Sequence, residues 1–168
     1  MTQIVLIGFM GAGKTAIGKQ LAKQLQLPLL DTDRLIEEKL GLSIPMIFAT
    51  QGEGSFRTQE TEILKEIQTQ AGIISTGGGI VLNEASQAIL SLFPNVIFLD
   101  VKLDTLIERI KQDTENVRPL FLNHSTEQFR EIYYSRMPFY QKASTLMIES
   151  QDKSVEEIAN EIILKVGV

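Results

Sequence analysis

Eight residues near the start of the chain have the types and spacing of a phosphate-binding loop. Residues 8–15 read Gly-Phe-Met-Gly-Ala-Gly-Lys-Thr, between the apolar run 4–7 and a helical pattern. Glycines let the backbone turn tightly and point N–H groups inward, and the following helix adds its positive end. Lys14 can then reach the β- and γ-phosphates of a nucleotide, and Thr15 can bind magnesium. The residues predicted to bind the nucleotide here are Gly11, Ala12, Gly13, Lys14, Thr15 and Ala16.

Two aspartates follow the second apolar run of the chain, at positions 31 and 33. Asp31 is the better candidate to support the metal ion. Asp33 could accept the proton of an attacking hydroxyl group while orienting that group by a hydrogen bond. The structural alternative is a helix cap, since aspartate is common at that position and Asp33 precedes the helical run 35–40.

Three arginines lie on separate predicted elements, at positions 57, 118 and 136. A guanidinium group can hold a carboxylate or a phosphate in two-pronged geometry, and three of them suit an anionic acceptor plus a transferring phosphoryl group. Taken singly, an arginine is more often a solvated or salt-bridged surface residue. The three glycines at 77–79 form either a tight turn or a place where a ligand approaches the backbone closely.

Short apolar runs alternate with helical patterns and must position these groups. The runs are 4–7, 29–30, 73–74, 96–99 and 146–148. They predict five strands in an α/β sandwich with a mostly parallel sheet and right-handed crossovers. Ligands bind at the carboxyl ends of such strands, so the glycine loop, the two aspartates and the three glycines should meet at one edge.

The helical patterns are bounded by several local signals. From Ser43 the sequence predicts a short helix, a break at 52–54, and a longer helix that carries Arg57. Ser125 begins a later helix with a capping box, and the helix is expected to be interrupted near Pro138. Before it, the pattern fades over about 112–124, which suggests a mobile lid.

Composition favours one ordinary domain, residues 1–168, with 43% hydrophobic and 22% charged residues. With a net charge of −5, the chain lacks the excess of basic residues that is expected of a nucleic-acid binder. With no cysteine and one histidine, His124, disulfides and thiolate metal sites are excluded. The first apolar run is too short for a secretory signal or a membrane span, so we expect a cytoplasmic protein. No long apolar stripe is left over, so a monomer is expected.

Taken in order, the motifs of the chain resemble those of the shikimate kinase family over nearly its whole length. They are Gly8-x-Met10-Gly11-x-Gly13-Lys14-Thr15, Asp31-Thr32-Asp33, Gly52-Glu53-x-x-Phe56-Arg57-x-x-Glu60, Thr76-Gly77-Gly78-Gly79, Arg118-Pro119-Leu120 and Arg136-x-x-x-Tyr140-x-x-Ala143. Many nucleotide kinases share the first motif, whereas the others in this order are specific to the family. The resemblance implies a nucleoside monophosphate kinase-like P-loop fold in three α/β/α layers, with strand order 2-3-1-4-5. It also implies transfer of the γ-phosphate of MgATP to the 3-hydroxyl of shikimate, with an acceptor-binding segment at about 33–62.

The resemblance assigns a role to each matching position on the nucleotide side. Lys14 would hold phosphates, and Thr15 with Asp31 would serve the magnesium ion. Arg118, in the lid, would close over the phosphates and neutralise charge, and Arg109 would pack near adenine. Ser75 departs from the many P-loop proteins that place an acidic metal residue there, although serine is also usual in shikimate kinases.

On the acceptor side, the resemblance makes Asp33 the residue that binds the acceptor hydroxyls and acts as the base. Arg57 and Arg136 would hold the shikimate carboxylate, and Gly78 and Gly79 would line the pocket through their backbone. The run 142–144, Lys-Ala-Ser, stands where the family often has acidic residues, so we expect the ion pairs near Arg136 to differ from those of its relatives.

Two other functions are consistent with the phosphate loop. One is a P-loop kinase for another small acceptor, such as gluconate or a nucleoside monophosphate, although no motif indicates a surface for the base of a nucleotide acceptor. The other is a non-catalytic module that senses ATP, which is disfavoured because every expected catalytic position is filled. A GTPase is disfavoured, since the sequence has no Asn-Lys-x-Asp segment to read guanine.

Overall fold

The computed structural model describes residues 1–113 and 124–168, and a five-stranded parallel sheet runs through its middle. The strands are β1 (Gln3–Ile7), β2 (Leu29–Asp31), β3 (Gly72–Ser75), β4 (Val96–Asp100) and β5 (Leu146–Glu149). Their order is β2-β3-β1-β4-β5, and every neighbouring pair is parallel. Both the five predicted strands and the order implied by the family resemblance are therefore confirmed.

Helices flank the sheet and connect its strands. They are α1 (Lys14–Leu25), α2 (Thr32–Leu40), α3 (Ile44–Ile67), α4 (Glu84–Leu90), α5 (Leu103–Gln112), α6 (Thr126–Ala143) and α7 (Val155–Val166), with a 3₁₀ turn at Ile80–Leu82. Because helices cover the sheet, its strands read as continuous apolar runs rather than alternating ones. All five residues of β1 are buried, for example. Among the described residues, no helix has the length and apolar character needed to cross a membrane.

The register of the sheet brings the ends of three strands together. Ser75, the last residue of β3, pairs with Leu6 of β1 on one side and with Asp31 of β2 on the other. The glycine loop follows β1 directly, α2 follows β2, and the three glycines follow β3. The expectation that these segments meet at one edge of the sheet is confirmed.

The predicted interruption of helix α6 near Pro138 proved wrong. The helix runs without a break from Thr126 to Ala143, with Pro138 inside it. Pro138 cannot donate to the carbonyl of Tyr134, but both residues lie on the exposed face of the helix, where water can reach that carbonyl. Tyr133 and Tyr140, on either side of the proline, are buried in the core and hold the two halves in line.

Helix α3 has the predicted break at residue 52. Gly52 adopts φ 82° and ψ 168° inside an otherwise helical segment. This backbone conformation is essentially restricted to glycine. The bend separates a short first part of α3 from the longer part that carries Arg57, and α3 packs on α2, which carries Asp33.

Candidate active site

The loop between β1 and α1 has the geometry of a phosphate cradle. Gly11 and Gly13 adopt positive φ angles of 80° and 93°, which side chains disfavour. Helix α1 begins directly after Gly13, which has no side chain to cap it, so the first N–H groups of the helix are left for a ligand. Lys14 is buried, and its Nζ donates to the carbonyl of Gly8 at 2.6 Å and to that of Phe9 at 3.0 Å. The ammonium group therefore lies over the loop, where phosphates would bind.

The residues predicted to serve magnesium lie at the beginning of two helices. Thr15 is exposed in the first turn of α1, and Asp31 ends β2. One oxygen of Asp31 accepts from the backbone N–H of Arg34 at 3.2 Å and caps α2, so the cap considered for Asp33 belongs to Asp31. The described residues contain no group of three or more acidic or histidine side chains able to hold a metal. This donor set fits magnesium, which usually keeps several waters and binds through one or two protein groups plus phosphate oxygens.

Asp33 is largely buried in the first turn of α2. Burial, together with the negative charges of Asp31 and Glu37, raises the pKa of its carboxyl group from 3.8 to about 6. Lys14 and Arg57, both nearby, act in the opposite direction. Its Oδ1 is buried and has no hydrogen-bond partner within the described ranges. A basic carboxylate with a spare oxygen near a phosphate-binding lysine can take a proton from a bound hydroxyl group.

The first and third glycines of the 77–79 run make room for charged side chains. A Cβ atom on Gly77 would lie 2.8 Å from Oδ1 of Asp33 and 3.1 Å from Oε2 of Glu60. A Cβ atom on Gly79 would overlap the guanidinium group of Arg57, 2.6 Å from its Cζ. Because these positions lack side chains, three charged groups from α2 and α3 can lie directly against the backbone.

The second glycine of the run contacts groups from α6. Arg136 is buried there, with Nη1 at 3.7 Å from the position of a Cβ on Gly78, and its guanidinium lies over the ring of Phe9, 5.5 Å from the centroid. The hydroxyl group of Tyr140 donates to the Gly78 carbonyl. Arg57 and Arg136 therefore flank adjacent glycines, as the sequence prediction of a shared pocket requires.

Glu60 belongs to the site, although the sequence analysis included it only in a motif and gave it no role. It is fully buried, and its Oε1 binds Nη1 of Arg57 at 2.6 Å. The pKa of Glu60 is raised to about 7; burial is the main cause, the charge of Arg57 lowers the pKa, and that of Asp33 raises it. Glu53 binds the other terminal nitrogen of Arg57 at 3.2 Å. The available signal was the spacing, since residues three and four apart on a helix are neighbours.

Two predicted site residues remain, Arg109 and Arg118, and the structure describes the first of them. Arg109, on α5, donates to the carbonyl of Gly11 at 3.2 Å, so it touches the loop itself, and its contact with adenine stays a prediction. Arg118 lies in 114–123, outside the described residues, as does most of the predicted lid. Of the departures from the family pattern, Ser75 is buried between β1 and β2, and Lys142 is exposed near the end of α6.

Comparisons with known proteins agree with this geometry. The sequence model of the shikimate kinase family matches residues 10–166. The shikimate kinase of Enterococcus faecalis is 45% identical over 163 residues, covering 97% of both chains, and that of Streptococcus gordonii is 44% identical over 92% of this chain and 94% of its own.

Solved structures give the same result. Shikimate kinase from Acinetobacter baumannii, in complex with shikimate, superposes with a TM-score of 0.90 at 33% identity, over 99% of this chain and 93% of that one. A gluconokinase from Sinorhizobium meliloti has a TM-score of 0.62 at 15% identity, over 99% of this chain and 91% of that one, which is a likeness of fold alone. The chain belongs to the shikimate kinase family of ATP-dependent phosphotransferases.

Proposed function

We propose that the protein transfers the γ-phosphate of MgATP to the 3-hydroxyl group of shikimate, giving shikimate 3-phosphate and ADP. This is a step in the synthesis of chorismate and the aromatic amino acids. The observation that carries the proposal is that Asp33, Arg57 and Arg136 converge on the three glycines beside the phosphate loop. A hydroxylated carboxylic acid needs this combination of one base and two guanidinium groups.

On the nucleotide side, the backbone of residues 11–16 and the ammonium group of Lys14 bind the phosphates. Thr15 and Asp31 would hold the magnesium ion, together with water. The ion would supply neutralisation of the charge that develops on the phosphates. The ammonium group of Lys14 exchanges its hydrogen bonds to two loop carbonyls for bonds to phosphate oxygens. This places a positive charge beside the phosphoryl group that is transferred.

On the acceptor side, Asp33 orients the hydroxyl group and accepts its proton as the bond to phosphorus forms. Its pKa of about 6 leaves it mostly ionised at pH 7 yet more basic than an exposed aspartate. Arg57 and Arg136 hold the carboxylate, and the backbone of Gly78 and Gly79 lines the pocket between them. A compact ligand fits because the two guanidinium groups flank consecutive residues.

The remaining assignments come from the family resemblance. Arg118 closes over the phosphates and neutralises charge during transfer, and the lid keeps water from the γ-phosphate. Arg109 packs near adenine. A cytoplasmic location and a monomeric state also stay predictions.

The test is ADP release, measured by a coupled assay with magnesium and ATP, in the presence of shikimate, gluconate, AMP or no acceptor. Stimulation by shikimate alone would support the acceptor pocket. Turnover of gluconate or AMP instead would be consistent with the role assigned to the phosphate loop but would contradict the proposed shikimate pocket. ATP binding with no turnover on any acceptor would favour a non-catalytic module.

A further inference from the structure

Tyr140 connects two parts of the acceptor pocket without lining the phosphate loop. It is fully buried on α6, and its ring stacks on Phe98 of β4 with centroids 5.1 Å apart and planes inclined by 17°. Its hydroxyl group donates to the carbonyl of Gly78 and is also hydrogen-bonded to the side chain of Arg136, one helical turn earlier. The hydroxyl group thus accepts from the guanidinium group and donates to the glycine backbone.

The bond to the Gly78 carbonyl has a consequence for the next residue. The peptide unit between Gly78 and Gly79 is planar and trans, so the N–H of Gly79 points away from the carbonyl that Tyr140 holds. Glycine places few limits on rotation of a peptide unit. A fixed Gly78 carbonyl therefore fixes the direction of the Gly79 N–H, and the guanidinium group of Arg57 lies against the same residue.

The bond from Arg136 has a similar effect on a side chain. Arginine has several rotatable bonds and loses considerable freedom when its guanidinium group is held for a ligand. The bond to Tyr140 and the contact with the ring of Phe9 hold that group before any acceptor arrives. Burial raises the pKa of Tyr140 to about 12, so the hydroxyl group keeps its proton at physiological pH.

We propose that the Tyr140 hydroxyl group is a positioning group for acceptor binding, which orients both the Arg136 guanidinium group and the Gly79 N–H. The proposal rests on the function proposed above. It predicts that removal of this one oxygen weakens acceptor binding and leaves nucleotide binding unchanged.

The chain offers a matched control on the same helix. Tyr133 is also buried, and its hydroxyl group donates to the carbonyl of Val101 at 2.8 Å. Tyr133→Phe and Tyr140→Phe each remove one buried hydrogen bond to a backbone carbonyl and keep the aromatic ring. The two variants differ in that Tyr140 contacts Arg136 and Gly78.

We expect Tyr140→Phe to raise the KM for shikimate by roughly tenfold, with kcat changed by less than about threefold and the KM for ATP unchanged. Tyr133→Phe should leave all three parameters near their wild-type values. The two variants should have similar melting temperatures. The difference between them in KM for shikimate reports positioning, which a general loss of stability would not produce.

A second substrate tests the path through Arg136. The methyl ester of shikimate has no carboxylate for the arginine, so the penalty of Tyr140→Phe on KM should shrink severalfold with the ester. An unchanged KM for shikimate in Tyr140→Phe, or an equal rise in both variants, would overturn the role of Tyr140. Absence of shikimate turnover by the wild-type enzyme, measured first in the same assay, would overturn the proposed function itself.

Discussion

The carboxyl groups of Asp33 and Glu60 approach each other across the Cα of Gly77. One oxygen of each lies within 3.1 Å of a single point, the position that a Cβ on Gly77 would occupy. Neither of these two oxygens has a hydrogen-bond partner among residues 1–113 and 124–168. The pKa of Asp33 is raised to about 6 and that of Glu60 to about 7, with burial the main cause of both shifts, and the negative charge of Asp33 adds to the rise at Glu60.

Activity should therefore depend on pH in the mildly acidic range. Asp33 can accept a proton only when ionised, so we expect kcat/KM for shikimate to fall as the pH drops through about 6. Glu60→Gln should move this fall little, because a carboxyl group with a pKa of about 7 is mostly protonated at pH 6. Above pH 7, binding of shikimate should weaken in this variant because Arg57 loses its charged partner. A profile from pH 5 to 9 checks this. A rate that stays constant from pH 7 to pH 5 would contradict the role of Asp33.

Stability should respond to pH in the opposite direction. Because both pKa values lie above those of the unfolded chain, the folded state binds more protons between about pH 4 and pH 7. The pair's contribution to the free energy of unfolding is fully present below that range and is lost as the pH rises through it. The free energy of unfolding of Glu60→Gln, taken relative to that of wild type, should increase by on the order of 1–3 kcal/mol from pH 5 to pH 8. Urea unfolding at the two pH values measures this, and a relative loss would contradict it.

Removal of the phosphate-binding or the proton-accepting group should stop turnover without unfolding the protein. We expect Lys14→Ala and Asp33→Asn to lower kcat by at least about a hundredfold, since positioning and charge stabilisation dominate phosphoryl transfer. Lys19→Ala, an exposed lysine on the same helix as Lys14, is the control and should retain normal turnover. Near-normal kcat in either active-site variant, with an unchanged circular dichroism spectrum, would remove the role assigned to that residue.

Arg136 and Arg118 should affect different kinetic parameters. Arg136→Ala should raise the KM for shikimate more than it lowers kcat, because it removes a ground-state contact with the acceptor. Arg118→Ala should lower kcat more than it raises that KM, because the proposed contact forms as charge develops. Arg130→Ala, an exposed arginine on α6, serves as the control. Equal effects on both parameters in both variants would mean that pocket and lid are misassigned.

A methyl group on Gly79 should displace Arg57 and leave the fold intact. It would overlap the guanidinium group, which is the flexible end of a long side chain and can move. We expect Gly79→Ala to raise the KM for shikimate by roughly tenfold, and the effect should disappear in the Arg57→Ala background because both changes remove one contact. Kinetics of the two single variants and the double variant test this. Additive effects would show that Gly79 acts independently of Arg57.

Much of the fold was predictable because its signals are local. Buried parallel strands require apolar runs, and Ser125 begins a helix with the predicted capping box, which is present in the structure. Local sequence patterns do not specify the strand order, which was predicted from the family resemblance. Pro138 was misleading because the sequence does not show which face of α6 meets solvent.

For the candidate site, residue types and spacing predicted which side chains to consider, but not the contacts that these side chains make. The sequence predicted one pocket for Asp33, Arg57 and Arg136, and the structure places these three side chains against the run 77–79. It did not reveal that Glu60 is fully buried against Arg57, because burial depends on how α3 packs. Nor did it show that Asp31 caps α2, since two aspartates two residues apart fit the same helix start.

The bend in α3 offers a test in which two glycines differ in one property. A Cβ atom on Gly52 or on Gly54 would meet nothing within 4 Å, but only Gly52 has a positive φ, of 82°. Gly54→Ala should stabilise the helix by about 0.5–1 kcal/mol, whereas Gly52→Ala should destabilise the protein by about 1–3 kcal/mol through backbone strain.

Gly52→Ala and Gly54→Ala should also differ in their kinetics. The bend directs the part of α3 that carries Glu53 and Arg57, so Gly52→Ala should also raise the KM for shikimate severalfold, with the KM for ATP unchanged. Gly54→Ala should leave both values near wild type. Urea unfolding and steady-state kinetics give the two measurements. Similar stability and similar KM values in the two variants would show that the backbone conformation at Gly52 neither strains an added side chain nor orients Arg57.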